Sequence, residues 1–245
     1  MSSRAFTRSA FLVASLTGCA DNLTPAEAPE TPTVPGNRAT VTGHTVDGTG
    51  APIAGATVTV RATGERATSD SAGAFSLNVP SDSTLTIEAT SPAMATTLLS
   101  QFMISTGAAT SFEIPLLTGD RIKSLTSLGT NTSGGAVAIV IKSISGAERT
   151  ATGATVELAP SNLGRILYIP DQPGMADPDP SLTSIARAND PVAWAVGVQP
   201  HVSVMTFNLR GATQVAAPYA IDDVTYPGTF TVDAGALTLV TLFTP

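Results

Sequence analysis

The chain predicts an all-β fold: two β-sandwiches in tandem, preceded by an export segment and a proline-rich tether. Three observations lead there. Ala, Thr, Val and Gly dominate and only 13% of the 245 residues are charged, so long salt-bridged helices have little material. Eighteen prolines and 21 glycines punctuate the chain, as closely spaced turns require. Apolar side chains recur at every second position, as in Thr57-Val58-Thr59-Val60 and Leu85-Thr86-Ile87-Glu88, which is the period of a strand with one buried face.

The first segment, residues 1–18, carries Arg4 and Arg8, then an apolar run from Ala10 to Leu16, then small residues before Cys19. That is the layout of a cleaved export signal. The run is far shorter than the roughly 20 apolar residues a membrane-spanning helix needs. Leu16-Thr17-Gly18-Cys19 resembles the lipobox of bacterial lipoproteins, which implies that Cys19 is acylated and becomes the first residue of the mature chain. An ordinary secretory signal is the alternative that the residues alone leave open. Lipoproteins of this kind carry three acyl chains, and anchoring becomes stable once two or more chains insert. Ala20-Asp21 places no simple inner-membrane retention signal directly after Cys19, which favours the outer membrane if the source is Gram-negative.

Residues 19–37 form the tether. Pro25, Pro29, Pro32 and Pro35 stand among Thr, Ala and Glu without apolar periodicity, and such spacers extend by up to about 3.1 Å per residue. Cys19 is the sole cysteine, so stability must come from packing and not from an internal disulfide. Without Arg4 and Arg8 the mature chain has 10 Lys+Arg against 19 Asp+Glu, a net of −9. That sign disfavours nucleic acid and anionic head groups as partners.

From residue 38 the strands predicted in order are Ala39 to Val46, Gly55 to Ala62, Ala74 to Val79, Thr84 to Thr90, Met94 to Ile104 and Ser111 to Leu117. Asp47-Gly48-Thr49-Gly50 supplies a tight turn, and Gly55 and Gly73 suit positions where a β-carbon would clash or φ must be positive. The string Gly43-x-x-x-Asp47-x-x-Gly50-x-Pro52-Ile53-x-Gly55-Ala56-x-Val58, followed by Ser69-Asp70-Ser71-Ala72-Gly73-x-Phe75-x-Leu77-x-Val79-Pro80, resembles the carboxypeptidase regulatory-like domain of the transthyretin-like group. The resemblance covers residues 38–117 and implies a sandwich of about seven strands with Phe75, Leu77 and Val79 in its core.

Residues 118–133 read as a linker whose short helix, Thr118 to Leu128, sets Ile122, Leu125 and Leu128 three apart with Thr118 or Asp120 as cap. Residues 134–245 then repeat the first half. Gly153-Ala154-Thr155-Val156-Glu157-Leu158 echoes Gly55 to Val60, and Ala193-Trp194-Ala195-Val196-Gly197-Val198 echoes Ala74 to Val79. The spacing between these landmarks grows by about 21 residues in the second copy, an insertion that holds Tyr168 and Pro170 to Pro180. The expectation is a second, divergent transthyretin-like or immunoglobulin-like sandwich with a strand at His201 to Asn208, closed by strands near Thr229 to Val232 and Leu237 to Phe243.

Candidate sites are few. Trp194 and Tyr168 are the aromatic candidates for ligand binding, since aromatic rings on sandwich domains stack on sugars, although Trp194 aligns with the core position of Phe75. Related sandwiches hold iron through two tyrosines and two histidines, but His44 lies in the first half, Tyr168, Tyr219 and Tyr226 in the second, and His201 has no neighbouring histidine in sequence. No zinc ligand set and no Gly-x-Ser-x-Gly turn is present, so no catalytic residue, metal or cofactor is assigned. Asp171, Asp177, Asp179 and Asp222-Asp223 could offer oxygens to Ca²⁺ but lack a calcium-loop spacing and read first as solvated acids. The function expected is a non-enzymatic envelope protein acting in adhesion, spacing or protein interaction, bound to the membrane through its lipid and to a cell-surface protein or glycan. The alternative is a carbohydrate-binding surface module, with a metal-dependent enzyme on the same fold third.

Overall fold

Alternation becomes sheet in most of the described segments that turn residues isolate. The computed structural model describes residues 37–104, 110–143, 152–172, 175–187, 192–200, 205–210, 224–228 and 230–244, within a unit spanning 36–245. In the first half the strands are β1 (Arg38–Val46), β2 (Thr57–Val60), β3 (Arg66–Thr68), β4 (Ala74–Pro80), β5 (Ser83–Thr90), β6 (Thr97–Ile104) and β7 (Thr110–Pro115). Helix α1 (Gly119–Thr126) follows. The second half contributes β8 (Gly135–Ser143), β9 (Thr155–Ala159), β10 (Arg165–Tyr168), β11 (Ala193–Val198), β12 (Met205–Arg210), β13 (Val224–Gly228) and β14 (Leu237–Thr244). The fold is all-β, as the composition predicts.

Three sheets hold these strands. One has the order β4-β1-β7, another β13-β12-β9, and between them runs an eight-stranded sheet, β10-β11-β8-β14-β6-β5-β2-β3. Each small sheet packs on one end of the large one. In the first half Val41, Phe75, Leu77 and Ile114 meet Val58, Leu85 and Ile87; in the second, Val156 and Leu158 meet Val137, Ile139, Ala193 and Val240. The inward positions are those the alternation marks: β1 reads exposed-buried from Arg38 to Thr45, and β4 buries Phe75, Leu77 and Val79 while Ser76 and Asn78 face solvent. The two sandwiches therefore share a sheet. β14 is the seam, pairing in parallel with β8 along Ala136–Ser143 and with β6 at Thr97–Leu99. A third cluster, including Leu117, Ile122, Leu125, Ala138, Leu167, Trp194 and Leu237, fills the space where the halves meet.

Local chemistry explains the turns. Gly43 leaves room for the Phe75 ring against β1: a β-carbon there would lie 2.5 Å from the Phe112 carbonyl oxygen and 2.7 Å from Phe75 Cζ, and the Phe75 and Phe112 rings meet edge-on at 5.7 Å. Gly73 is needed twice over, with φ of +75° and a β-carbon position 2.5 Å from the Thr45 carbonyl. Beside it a buried polar knot is fully bonded. Thr45 Oγ1 and Ser69 Oγ both donate to the Ile53 carbonyl, at 2.6 and 2.8 Å, and Ser69 Oγ accepts from Ala56 N at 2.9 Å.

The structure departs from the sequence expectations in several places, and β8 and β10 are strands that the sequence reading did not mark. β3 was not foreseen, because three residues with no buried apolar side chain leave no pattern. The strand expected at residues 229–232 lies upstream, at Val224–Gly228; Phe230 and Val232 are buried from non-strand backbone, so their spacing mimics a strand without a ladder. Residues 94–96 precede β6 because Ser91-Pro92-Ala93-Met94 is a turn, closed by Met94 N donating to Ser91 O at 3.1 Å. Thr118 caps α1, accepting from Arg121 N, whereas Leu128 stands past the helix end and is 42% exposed.

Candidate interaction site

A groove of about 850 Å³ opens where three segments distant in sequence converge. That volume is in the range of small-molecule and peptide clefts. The first wall is the β1–β2 turn. Asp47 Oδ1 accepts from Thr49 N (2.8 Å), Thr49 Oγ1 (2.7 Å) and Ala51 N (3.0 Å). These bonds to the ionised form hold the Asp47 carboxyl below the usual carboxylate range, the Thr49 hydroxyl contributing most. The floor comes from Met94 and from Leu116-Leu117, laid down by ladder bonds from Leu116 N to Val46 O (2.7 Å) and from Ala95 N to Leu117 O (2.7 Å).

The far wall is the insertion. Arg121, on the first turn of α1, bonds the Met175 carbonyl at 3.3 Å and pairs with Asp177, while Met175 N reaches Gly48 O at 3.4 Å across the groove. Trp194 holds the same stretch from below, its Nε1 donating to Ala176 O at 3.3 Å. Asp179 N donates to Tyr168 O at 2.9 Å. Asp179 itself is held below its ordinary value, chiefly by the Ser181 hydroxyl and then by Ser181 N. The groove thus has an apolar floor and a polar rim whose charged groups are already engaged in holding its shape.

The sequence candidates are dispersed. Trp194 is fully buried and Tyr168 is 7% exposed, so neither offers an open ring face for stacking on a sugar. Tyr168 instead closes an edge: its hydroxyl accepts from Val156 N at 2.9 Å and donates to Val156 O at 3.4 Å, tying β10 to β9 in the facing sheet. Burial pushes its phenol up, so it stays neutral. His44 points outward from β1, and Asp171 and Asp177 are exposed loop acids. Among the described residues no three His, Cys, Asp or Glu side chains come close enough to hold a metal ion. Cys19, His201, Tyr219, Asp222 and Asp223 lie outside the described residues, and of Tyr226 only the backbone is described. The groove itself escapes sequence reading, because residues 47–49, 94, 116–121 and 170–177 share no local pattern; the insertion at Pro170 to Pro180 is the only signal pointing to it.

Residues 40–117 match the carboxypeptidase regulatory-like domain family. No curated protein matches the chain. Among solved structures, a chain of a type II cohesin–X-dockerin complex from Acetivibrio cellulolyticus is 27% identical over 33% of this chain and 58% of its own length, with a TM-score of 0.29. The chain therefore spans little more than half of that protein. A minor pilin of Streptococcus agalactiae is 11% identical over 84% of this chain and 94% of its own, with a TM-score of 0.26. The Bacillus anthracis TIE protein is 10% identical over 85% of this chain and 34% of its own, with a TM-score of 0.28.

Proposed function

We propose that this protein is a lipid-anchored, non-enzymatic component of the bacterial cell envelope, held through Cys19 in the outer membrane and engaged in adhesion, spacing or protein assembly. The observation that carries this reading is the groove between the β1–β2 turn, α1 and the insertion. Its walls come from both sandwiches, its floor is apolar, and Asp47, Arg121 and Asp177 are committed to intramolecular bonds. A surface of this kind suits an extended partner segment laid along it. The match of residues 40–117 to a regulatory-like accessory domain supports the same reading.

Two variants of the full chain test it. Cys19→Ser should move the protein from the membrane fraction to the soluble fraction; retention in membranes contradicts the anchor. Met94→Glu should leave the protein in membranes and abolish cell attachment to its surface partner, because a charge is placed on the apolar floor. Undiminished attachment would move the function away from the groove.

A further inference from the structure

We infer that the 36–245 unit is built to resist tension along the chain, transmitting force from the tether through two ladders loaded in shear. The inference rests on the proposed tethering and concerns load applied between the tether and the end of β14, not load taken up at the groove. Its physical basis lies in where the first and last strands sit. Both are inside their sheets: β1 lies between β4 and β7, and β14 between β8 and β6.

Direction matters as much as position. β1 runs parallel to β7, from Val41 opposite Thr110 to Val46 opposite Pro115. Force arrives at the Arg38 end of β1 and leaves β7 past Pro115 toward α1, so the two pulls act at opposite ends of one parallel ladder. All bonds of that ladder then stretch together. On its other edge β1 is paired with β4 from Arg38 opposite Pro80 to His44 opposite Ala74, and this ladder too must slide before β1 can leave. The same arrangement recurs in the second half. Force enters β8 at Gly135 and leaves β14 at Thr244, again opposite ends of a parallel ladder that runs from Leu237 beside Ala136 to Thr244 beside Ser143. The Arg61 guanidinium, bonded to Glu88 at 2.6 Å and paired with Asp233, adds a tie across the two halves.

A single backbone hydrogen bond contributes little by itself. Opened one at a time, a ladder parts at low force; opened together, its bonds add before any breaks. Forced unfolding reports the unfolding barrier and not equilibrium stability, so this property is separate from how stable the chain is.

The test is single-molecule force spectroscopy on the full chain, unacylated, with Cys19 as one handle and a C-terminal tag as the other. The comparison adds Ser111→Cys, an exposed position at the start of β7, and pulls between that thiol and Cys19. Both handles are then at the same end of the β1–β7 ladder, which peels. The rupture force in the end-to-end pull should be severalfold higher than in the peel, and equal forces in the two geometries would overturn the inference. The result is read on purified protein and does not depend on whether the chain reaches a membrane, so it fails independently of the Cys19→Ser fractionation.

Discussion

Single side chains settle which polar groups this fold leaves exposed. Tyr168 is the clearest case: a ring expected among ligand-binding candidates lies inside the second sandwich, where its hydroxyl satisfies the outward N–H and C=O of Val156 on β9. Tyr168→Phe keeps the ring and orphans that N–H, at a cost of about 1–3 kcal/mol. Urea unfolding should show that loss, and a variant as stable as the parent would mean that the hydroxyl is not needed at the edge. Trp194 behaves alike, its apolar body filling the space between the halves while its one N–H fixes Ala176. The echo of Phe75 marks Trp194 as buried but gives it the wrong face: Ala193 and Ala195 line the second sandwich core, while Trp194 turns to the junction cluster, and alternation carries no information on where an indole N–H finds its partner.

At the level of elements, the same turn is used twice in the first sandwich. Asp47 and Asp70 each fold a carboxylate back on the N–H groups two and four residues ahead, to Thr49 and Ala51 and to Ala72 and Ala74. The Asp47 carboxyl is depressed, so the folded chain binds its proton less readily than the unfolded chain. Its contribution to stability is complete above the unfolded value of about 3.9 and is lost as pH falls through the lower folded value. Asp47→Asn retains an acceptor oxygen but cannot titrate there, so thermal melting of that variant should decline less steeply with acid in this window than the parent; identical acid slopes would contradict the assignment. The Asp70 turn also guards a sheet edge. Ala74 N–H on β4 is taken by Asp70, the Asn78 carbonyl by the Arg38 guanidinium, and Pro80 has no N–H to offer. An unprotected edge of that length would invite another strand.

For the whole molecule, the shared sheet makes the halves one cooperative structure. Leu237 is fully buried where they meet, and Leu239 packs against both the first core and the junction. Calorimetry should therefore record a single unfolding transition. Leu237→Ala should lower that transition as a unit, by about 2–5 kcal/mol for a buried leucine. Two separate transitions in the parent chain would show that β14 does not couple the sandwiches.

The amino-acid sequence by itself determined the all-β class, most of the strands, the Asp47 and Gly73 turns and the inward positions of β1 and β4. All of these follow from periods of two and from residues with special backbone freedom, which act within a few positions. Only the tertiary structure decided that β14 joins β6 to β8, that Tyr168 faces β9, and that the β1–β2 turn, α1 and the insertion form a groove. Each of those depends on which strands become neighbours, and a strand's alternation specifies the face it buries but not the edge it pairs with.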